Sequence, residues 1–132
     1  MCEHTPRQEV ELPPGETAPS AARTWLRTVT CSEHGARFLD DAALLVSELV
    51  TNAVRYGGPP VVLGVDCDGS GLDVRVRDGS SVLPVPRTPG PDAETGRGFV
   101  LLDSLSERWG VVEQVDEAGG KEIWFRLRVP EA

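Results

Sequence analysis

The sequence predicts a two-layer α/β sandwich of the α+β class, in which helices cover one face of a mixed, mostly antiparallel sheet. Two observations predict this class. Some segments repeat apolar residues at helical spacing, whereas others alternate apolar and polar residues as half-buried strands do. The segments follow the order β-α-α-β-β-loop-α-β-β, and tight turns between neighbouring strands favour antiparallel pairing. With 132 residues and no internal repeat, residues 1–132 are expected to form one domain.

The first half of the chain predicts one strand and two helices. The expected elements are, in order, a strand over 9–12 within an N-terminal segment 1–16, a helix over 18–30, a polar turn over 31–37 and a helix from about 39 to 56. Pro13 and Pro14 end the strand, and Gly35 is the reason for predicting a turn. Gly57 and Gly58, followed by two prolines, form a strong stop signal for the second helix.

The second helix has one apolar and one polar face. At roughly 100° per residue, the polar positions fall on one side; they are Asp41, Ser47, Glu48, Thr51, Asn52 and Arg55. Glu48 and Asn52 lie four residues apart, about 40° from each other around the helix. A helix of this kind packs one side on a sheet and presents the other to water or to a ligand.

The second half predicts four strands, a long loop and a third helix. The expected elements are strands over 61–67 and 72–77, a loop over 79–98, a helix over 99–105 and strands over 109–115 and 121–129. Continuing the alternation of Leu72, Val74 and Val76 by two residues places Asp78 on the inward side. A buried carboxylate costs several kcal/mol unless a partner holds it, although an Asp at a strand end also commonly caps the next turn. Loops of about 20 residues are usually functional lids or disordered segments.

Composition and charge restrict the function. The net charge of −8 repels a phosphate backbone, so direct nucleic-acid binding is disfavoured; an acidic surface instead suits a basic protein partner or serves solubility alone. We expect no membrane span, since no run approaches roughly 18 apolar residues, and no secretory signal. Three widely spaced cysteines, Cys2, Cys31 and Cys67, lack zinc-site spacing and favour free thiols in a reducing cytoplasm.

Three polar elements are candidates to meet in one pocket for a nucleotide. Asn52 offers an oxygen ligand of the kind that Mg²⁺ takes beside phosphates, and Glu48 is placed to orient or deprotonate a nucleophile near the γ-phosphate. Asp78 can accept hydrogen bonds from an amino group such as that of adenine. Gly96 and Gly98 precede the third helix, where free backbone N–H groups attract phosphate. Each pattern also occurs on ordinary surfaces and in ordinary loops.

These residues resemble the motifs of a known superfamily. Residues 48–53, ELVTNA, resemble the N-box of the GHKL ATPases, while 76–79, VRDG, and 96–99, GRGF, resemble their first and second glycine boxes. The likeness is greatest to the stand-alone anti-sigma-factor serine/threonine kinases and their actinobacterial relatives, which 108–111, RWGV, and 120–125, GKEIWF, also resemble. The resemblance covers about 17–129.

The resemblance implies a Bergerat fold that binds ATP between helices and sheet under a lid. By that match Glu48 is the general base, Asn52 binds Mg²⁺, and Asp78 binds the adenine amino group. The implied ATP-binding set consists of Asn52, Asp78, Gly79, Gly96, Arg97, Gly98 and Phe99. Arg97 either clamps a phosphate in a bidentate manner or faces a partner protein or water.

The implied activity is phosphorylation of a serine on an anti-anti-sigma partner, sequestration of a sigma factor, or both, with a homodimer as one assembly. The competing hypotheses are a nucleotide-responsive binding module without kinase activity and a degenerate fold that has lost ATP. The chain departs from the family at Ser80 and Ser81, where another glycine is frequent, and at Glu122, where a threonine is frequent. Alternation points Glu122 away from the inward Ile123 and Phe125.

Overall fold

The structure, a computed structural model, describes residues 5–29, 32–68, 71–79, 94–116 and 119–128. Its elements are β1 (Thr5–Glu11), α1 (Ala18–Val29), α2 (Ser32–Tyr56), β2 (Val62–Cys67), β3 (Gly71–Asp78), α3 (Glu94–Leu105), β4 (Arg108–Asp116) and β5 (Gly119–Arg128). The order of strands and helices is the predicted one. Ser80, Ser81 and the rest of the expected loop up to residue 93 lie outside the described residues.

The five strands form one sheet in the order β1-β2-β3-β5-β4, and every neighbouring pair is antiparallel. The α+β prediction is therefore confirmed. Alternation determines which face is covered, because every second residue of β2, β3 and β5 is buried. These inward residues include Leu63, Val65, Cys67, Leu72, Val74, Val76, Phe125 and Leu127. They pack against the helices, where Leu26, Val46, Leu49, Val50 and Leu102 are buried.

The start of α2 differs from the prediction. The helix begins at Ser32, so most of the segment expected to be a turn is helical. Gly35 costs only about 1 kcal/mol relative to alanine inside a helix, and tertiary packing of the later turns outweighs such a local cost. The helix that carries Glu48 and Asn52 is therefore about two turns longer than the sequence suggested.

The beginning of α3 is a second correction. The sequence suggested a loop up to Gly98, yet α3 begins at Glu94 and contains the whole GRGF motif. Leu102 is fully buried, and Leu101 and Leu105 pack against the core. That packing stabilises the helix despite two glycines of low helix propensity.

Two further observations complete the fold. β1 extends from Thr5, four residues before the predicted start of the strand, and Leu12 continues the pairing by donating its N–H to the Val61 carbonyl at 2.8 Å. In the part of the chain that the structure describes, none of the helices has the length and apolar character needed to cross a membrane.

Candidate nucleotide site

Asp78 is a buried carboxylate at the end of a core strand, as the alternation predicts. It is the last residue of β3 and only 5% exposed, following the buried Leu72, Val74 and Val76. Because each of these residues is two positions from the next, all four side chains project towards the helices. A charge placed on that face requires a partner.

The partner is Lys121, which lies directly opposite Asp78 in the antiparallel pair of β3 and β5. The Lys121 Nζ lies 2.9 Å from Asp78 Oδ1 and 2.8 Å from Asp78 Oδ2. Lys121 is 6% exposed, and these two side chains are the buried charged pair among the described residues. Removing either partner alone would leave an uncompensated buried charge, a change that typically costs about 3–5 kcal/mol.

Gly57 and Gly120 pack tightly against Asp78. A Cβ atom on Gly57 would lie 2.5 Å from Asp78 Oδ2, and one on Gly120 would lie 2.9 Å from the Asp78 carbonyl oxygen. Gly120 also has φ of +95°, a conformation that other residues rarely adopt. Gly79 donates its N–H to the Gly58 carbonyl at 2.7 Å, which ties the end of β3 to the segment after α2. Gly57 therefore closely approaches the Asp78 carboxylate, whereas Gly120 closely approaches the Asp78 backbone.

Asn52 and Glu48 lie on the same helix that ends beside Asp78. Both side chains are half-buried, on the polar side of α2 as predicted. With a rise of 1.5 Å per residue, Asn52 lies about 7.5 Å and Glu48 about 13.5 Å along the helix axis from Gly57. The polar groups thus follow α2 in the order Asp78, Asn52, Glu48, which is an elongated arrangement rather than a compact cluster.

The GRGF motif lies at the N-terminal end of α3, a helix that packs against α2. Gly96 and Arg97 fall among the first four residues of the helix, whose N–H groups lack intrahelical acceptors. Helix N-termini bind phosphate through such amides, so the predicted phosphate-binding role of Gly96 and Gly98 stays a prediction after the change from loop to helix. The side chains of Arg97 and Phe99 lie outside the described residues, so their predicted roles stay predictions.

Glu122 lies on the opposite face of the sheet from Asp78 and Lys121. It faces Arg77 across the β3–β5 pair, and its neighbours Lys121 and Ile123 are buried on the inner face. The prediction that Glu122 points away from the inward Ile123 and Phe125 is confirmed. Its carboxylate adds no repulsion next to the inner groups.

The far end of the sheet holds a charge cluster that serves the fold. Arg126 contacts Asp73 at 2.7 Å, Asp68 at 3.3 Å and Glu107 at 3.5 Å. Burial by itself lowers the pKa of Arg126, but hydrogen bonds and attraction from Asp68 and Asp73 outweigh that effect and raise the pKa. The cluster is at the Gly71 end of β3 and on its outer face, so it is separate from Asp78.

One contact joins α1 to α2 next to Glu48. Arg23 Nη1 donates to Ser47 Oγ at 2.9 Å, and Ser47 Oγ donates to the Ala43 carbonyl at 2.7 Å. The two bonds fix Ser47 between the helices. Since Glu48 follows directly, they also limit how α2 can rotate around its axis.

The polar groups of Asp78 and Asn52 are of the kinds that bind nucleotides. The buried carboxylate of Asp78, which packs against Gly57, offers an acceptor for a base amino group. The carboxamide oxygen of Asn52 is a ligand suited to Mg²⁺ that is mainly held by phosphates.

Comparison with known proteins assigns the chain to a family. The family model described as the histidine kinase-like ATPase domain matches residues 13–127. The chain belongs to the histidine kinase-like ATPase family. The matched region contains Glu48, Asn52, Asp78 and the GRGF motif, and the membership supports ATP binding as the general activity. A comparison with curated proteins gives no significant match.

A similar fold occurs in a solved structure described as the RsbU and RsbW domains of Rv1364c from Mycobacterium tuberculosis. The TM-score is 0.63 at 19% identity, and the alignment covers 96% of this chain and 34% of that one. At this identity the likeness shows a shared fold. This chain spans about a third of the length of its neighbour.

Lys121 is the residue of this site that the sequence-based prediction missed. Counting back by two from Ile123 and Phe125 gives Lys121 as inward, so the alternation contained the signal. The pairing of Lys121 with Asp78 required the register of β3 against β5, which the sequence alone does not provide.

Proposed function

We propose that this histidine kinase-like ATPase domain binds ATP with Mg²⁺ between α2, α3 and the inner face of the sheet, and acts as an anti-sigma-factor-type serine/threonine kinase. Its proposed partners are an anti-anti-sigma protein that it phosphorylates, a sigma factor that it sequesters, or both. The observation that carries the proposal is the buried Asp78, the last residue of β3, which lies beside the C-terminal end of α2. Asn52 and Glu48 follow along that helix.

The elongated order of these groups matches the shape of a nucleotide. Asp78 accepts a hydrogen bond from the adenine amino group at the glycine-lined end. The amides at the start of α3 bind phosphate, as helix N-termini do. Asn52 would hold Mg²⁺ through its carboxamide oxygen, and the bound ion would neutralise part of the phosphate charge.

Glu48 serves the transfer step in this proposal. The serine oxygen attacks the γ-phosphorus, the bond to the bridging oxygen breaks, ADP leaves, and Glu48 takes the hydroxyl proton. Most of the rate enhancement in such a reaction comes from positioning and electrostatic stabilisation. The contacts of Arg23 and Ser47 join α1 to α2 one residue before Glu48.

The acidic balance of the chain, −8, supports a protein partner with a basic surface. The second candidate function is a binding module that responds to ATP without transferring phosphate. It is favoured by the burial of Asp78, on which base binding depends, and it does not require Glu48 to act as a base.

The deciding experiment measures binding and transfer in the same samples. Titration calorimetry with ATP and Mg²⁺ reports binding, and [γ-³²P]ATP added to a cytosolic extract containing the tagged protein reports a labelled partner. We expect Glu48→Gln to bind ATP but label nothing, whereas Asp41→Asn, which removes an exposed carboxylate from the same helix, labels normally. Absence of ATP binding at millimolar concentration contradicts the proposal, and binding without labelling by the wild type indicates the binding module.

A further inference from the structure

Lys121 is a buried cation that the proposed transfer step does not use. It lies on the inner face at the start of β5, and its Nζ contacts both carboxylate oxygens of Asp78. Burying a lysine is costly, and two apolar residues at these facing positions would serve a core equally well. Packing alone therefore does not explain why a lysine occupies position 121.

The ammonium group retains donor capacity beside Asp78. A lysine ammonium has three N–H groups, and the two Asp78 oxygens take at most two of them at 2.9 and 2.8 Å. A carboxylate has about four lone-pair sites, so it can accept several hydrogen bonds at once. The pair thus presents an acceptor and a donor side by side, both fixed in place by the fold.

An adenine ring has the complementary pattern on one edge. Its exocyclic amino group donates, and the neighbouring ring atom N1 accepts. A guanine or hypoxanthine ring reverses the order, with an accepting oxygen at the exocyclic position and a donating N1–H. An acceptor held towards the exocyclic group and a donor held towards N1 therefore select adenine.

We infer that Lys121 is a base-reading residue, which donates a hydrogen bond from Nζ to adenine N1 while Asp78 accepts from the amino group. This inference rests on the proposed ATP binding and adds a specificity-determining residue to it. Because Asp78 already holds the Lys121 side chain, little conformational freedom is lost when the base binds. Gly57 and Gly120 have no side chain where their backbones approach Asp78.

The test compares ATP with 1-deaza-ATP, in which a C–H group replaces N1, and with 7-deaza-ATP as the matched control on another ring nitrogen. A hydrogen bond to a charged donor corresponds to about 10- to 100-fold in affinity. We expect the wild type to lose that factor with 1-deaza-ATP and to bind 7-deaza-ATP like ATP in titration calorimetry. Lys121→Met should bind ATP and 1-deaza-ATP equally, whereas Arg128→Met, at an exposed position of β5, should discriminate like the wild type.

Each outcome decides the inference. Equal binding of ATP and 1-deaza-ATP by the wild type overturns it, and this comparison needs no variant if Lys121→Met does not fold. Discrimination that persists in a folded Lys121→Met also overturns it, because another donor then reads N1. If the wild type does not bind ATP, both the proposed function and this inference fail. If it binds ATP and 1-deaza-ATP equally, only the inference fails.

Discussion

Gly57 is the residue at which a single added methyl group probes the candidate site most sharply. It follows the last turn of α2, and its N–H bonds to the Ala53 carbonyl at 3.0 Å. In Gly57→Ala the new Cβ would lie 2.5 Å from Asp78 Oδ2, 2.6 Å from Asp78 Cγ and 2.7 Å from the Ala53 carbonyl oxygen. Carbon atoms in ordinary contact are about 3.5–4.0 Å apart, so the carboxylate or the end of α2 must move by about 1 Å.

That displacement has two expected consequences. Overpacking of a well-packed site typically costs about 1–3 kcal/mol, so we expect the free energy of unfolding to fall by about 2 kcal/mol. A shift of about 1 Å also breaks a 2.8–2.9 Å hydrogen bond. If Asp78 also accepts a hydrogen bond from the adenine amino group, the same shift breaks that bond. Losing a hydrogen bond to a charged acceptor costs about 1.5–3 kcal/mol, or about 10- to 100-fold in ATP affinity.

The assay separates the two consequences with a matched glycine. Urea unfolding reports stability, and titration calorimetry with ATP and Mg²⁺ reports affinity. Gly71→Ala is the control, because its Cβ would lie 2.6 Å from the Leu127 carbonyl oxygen at the opposite end of β3. Both variants should lose stability, but only Gly57→Ala should lose ATP affinity. Equal affinity for ATP in a folded Gly57→Ala and the wild type would refute the assignment of Asp78 to the base.

Three further changes test other parts of the site and fold. Asn52→Ala should abolish the increase in melting temperature that ATP with Mg²⁺ produces by mass action, as measured by thermal shift, while its melting temperature without ligand stays within a few degrees of the wild type. Glu48→Gln should retain ATP affinity in calorimetry but lose transfer of ³²P to the partner by at least about 100-fold; retained transfer would exclude Glu48 as the base. Arg126→Met should lower the free energy of unfolding in urea by about 1–2 kcal/mol, reduced by solvent screening of its partly exposed partners, without changing ATP affinity.

The strand pattern could be predicted from the sequence because period-two alternation is a local signal. Alternation alone assigns Asp78 to the inner face of the sheet and Glu122 to the outer face. The same signal marks Lys121 as inward. Its pairing with Asp78 depends on the register between two strands, in which the paired residues lie 43 positions apart, and register is decided by contacts distant in sequence.

The helix boundaries show where local reasoning fails. Gly35, Gly96 and Gly98 all suggested turn or loop, and the structure has all three inside helices. The propensity penalty of a glycine is about 1 kcal/mol, less than the burial of a single leucine such as Leu102 contributes. A single sequence does not reveal how far packing carries a helix past its weakest residues.

The central claim is that ATP binds with its base next to Asp78, and an NMR titration of backbone amides tests it most directly. Titrating ATP and Mg²⁺ into the labelled protein should produce the largest chemical-shift changes at Gly57, Gly79 and Gly120, which lie next to Asp78 in space or in sequence. The amides of Gly71 and Gly110, far along the sheet, should stay unchanged. Largest changes at Gly71 and Gly110, or none anywhere at millimolar ATP, would contradict the claim.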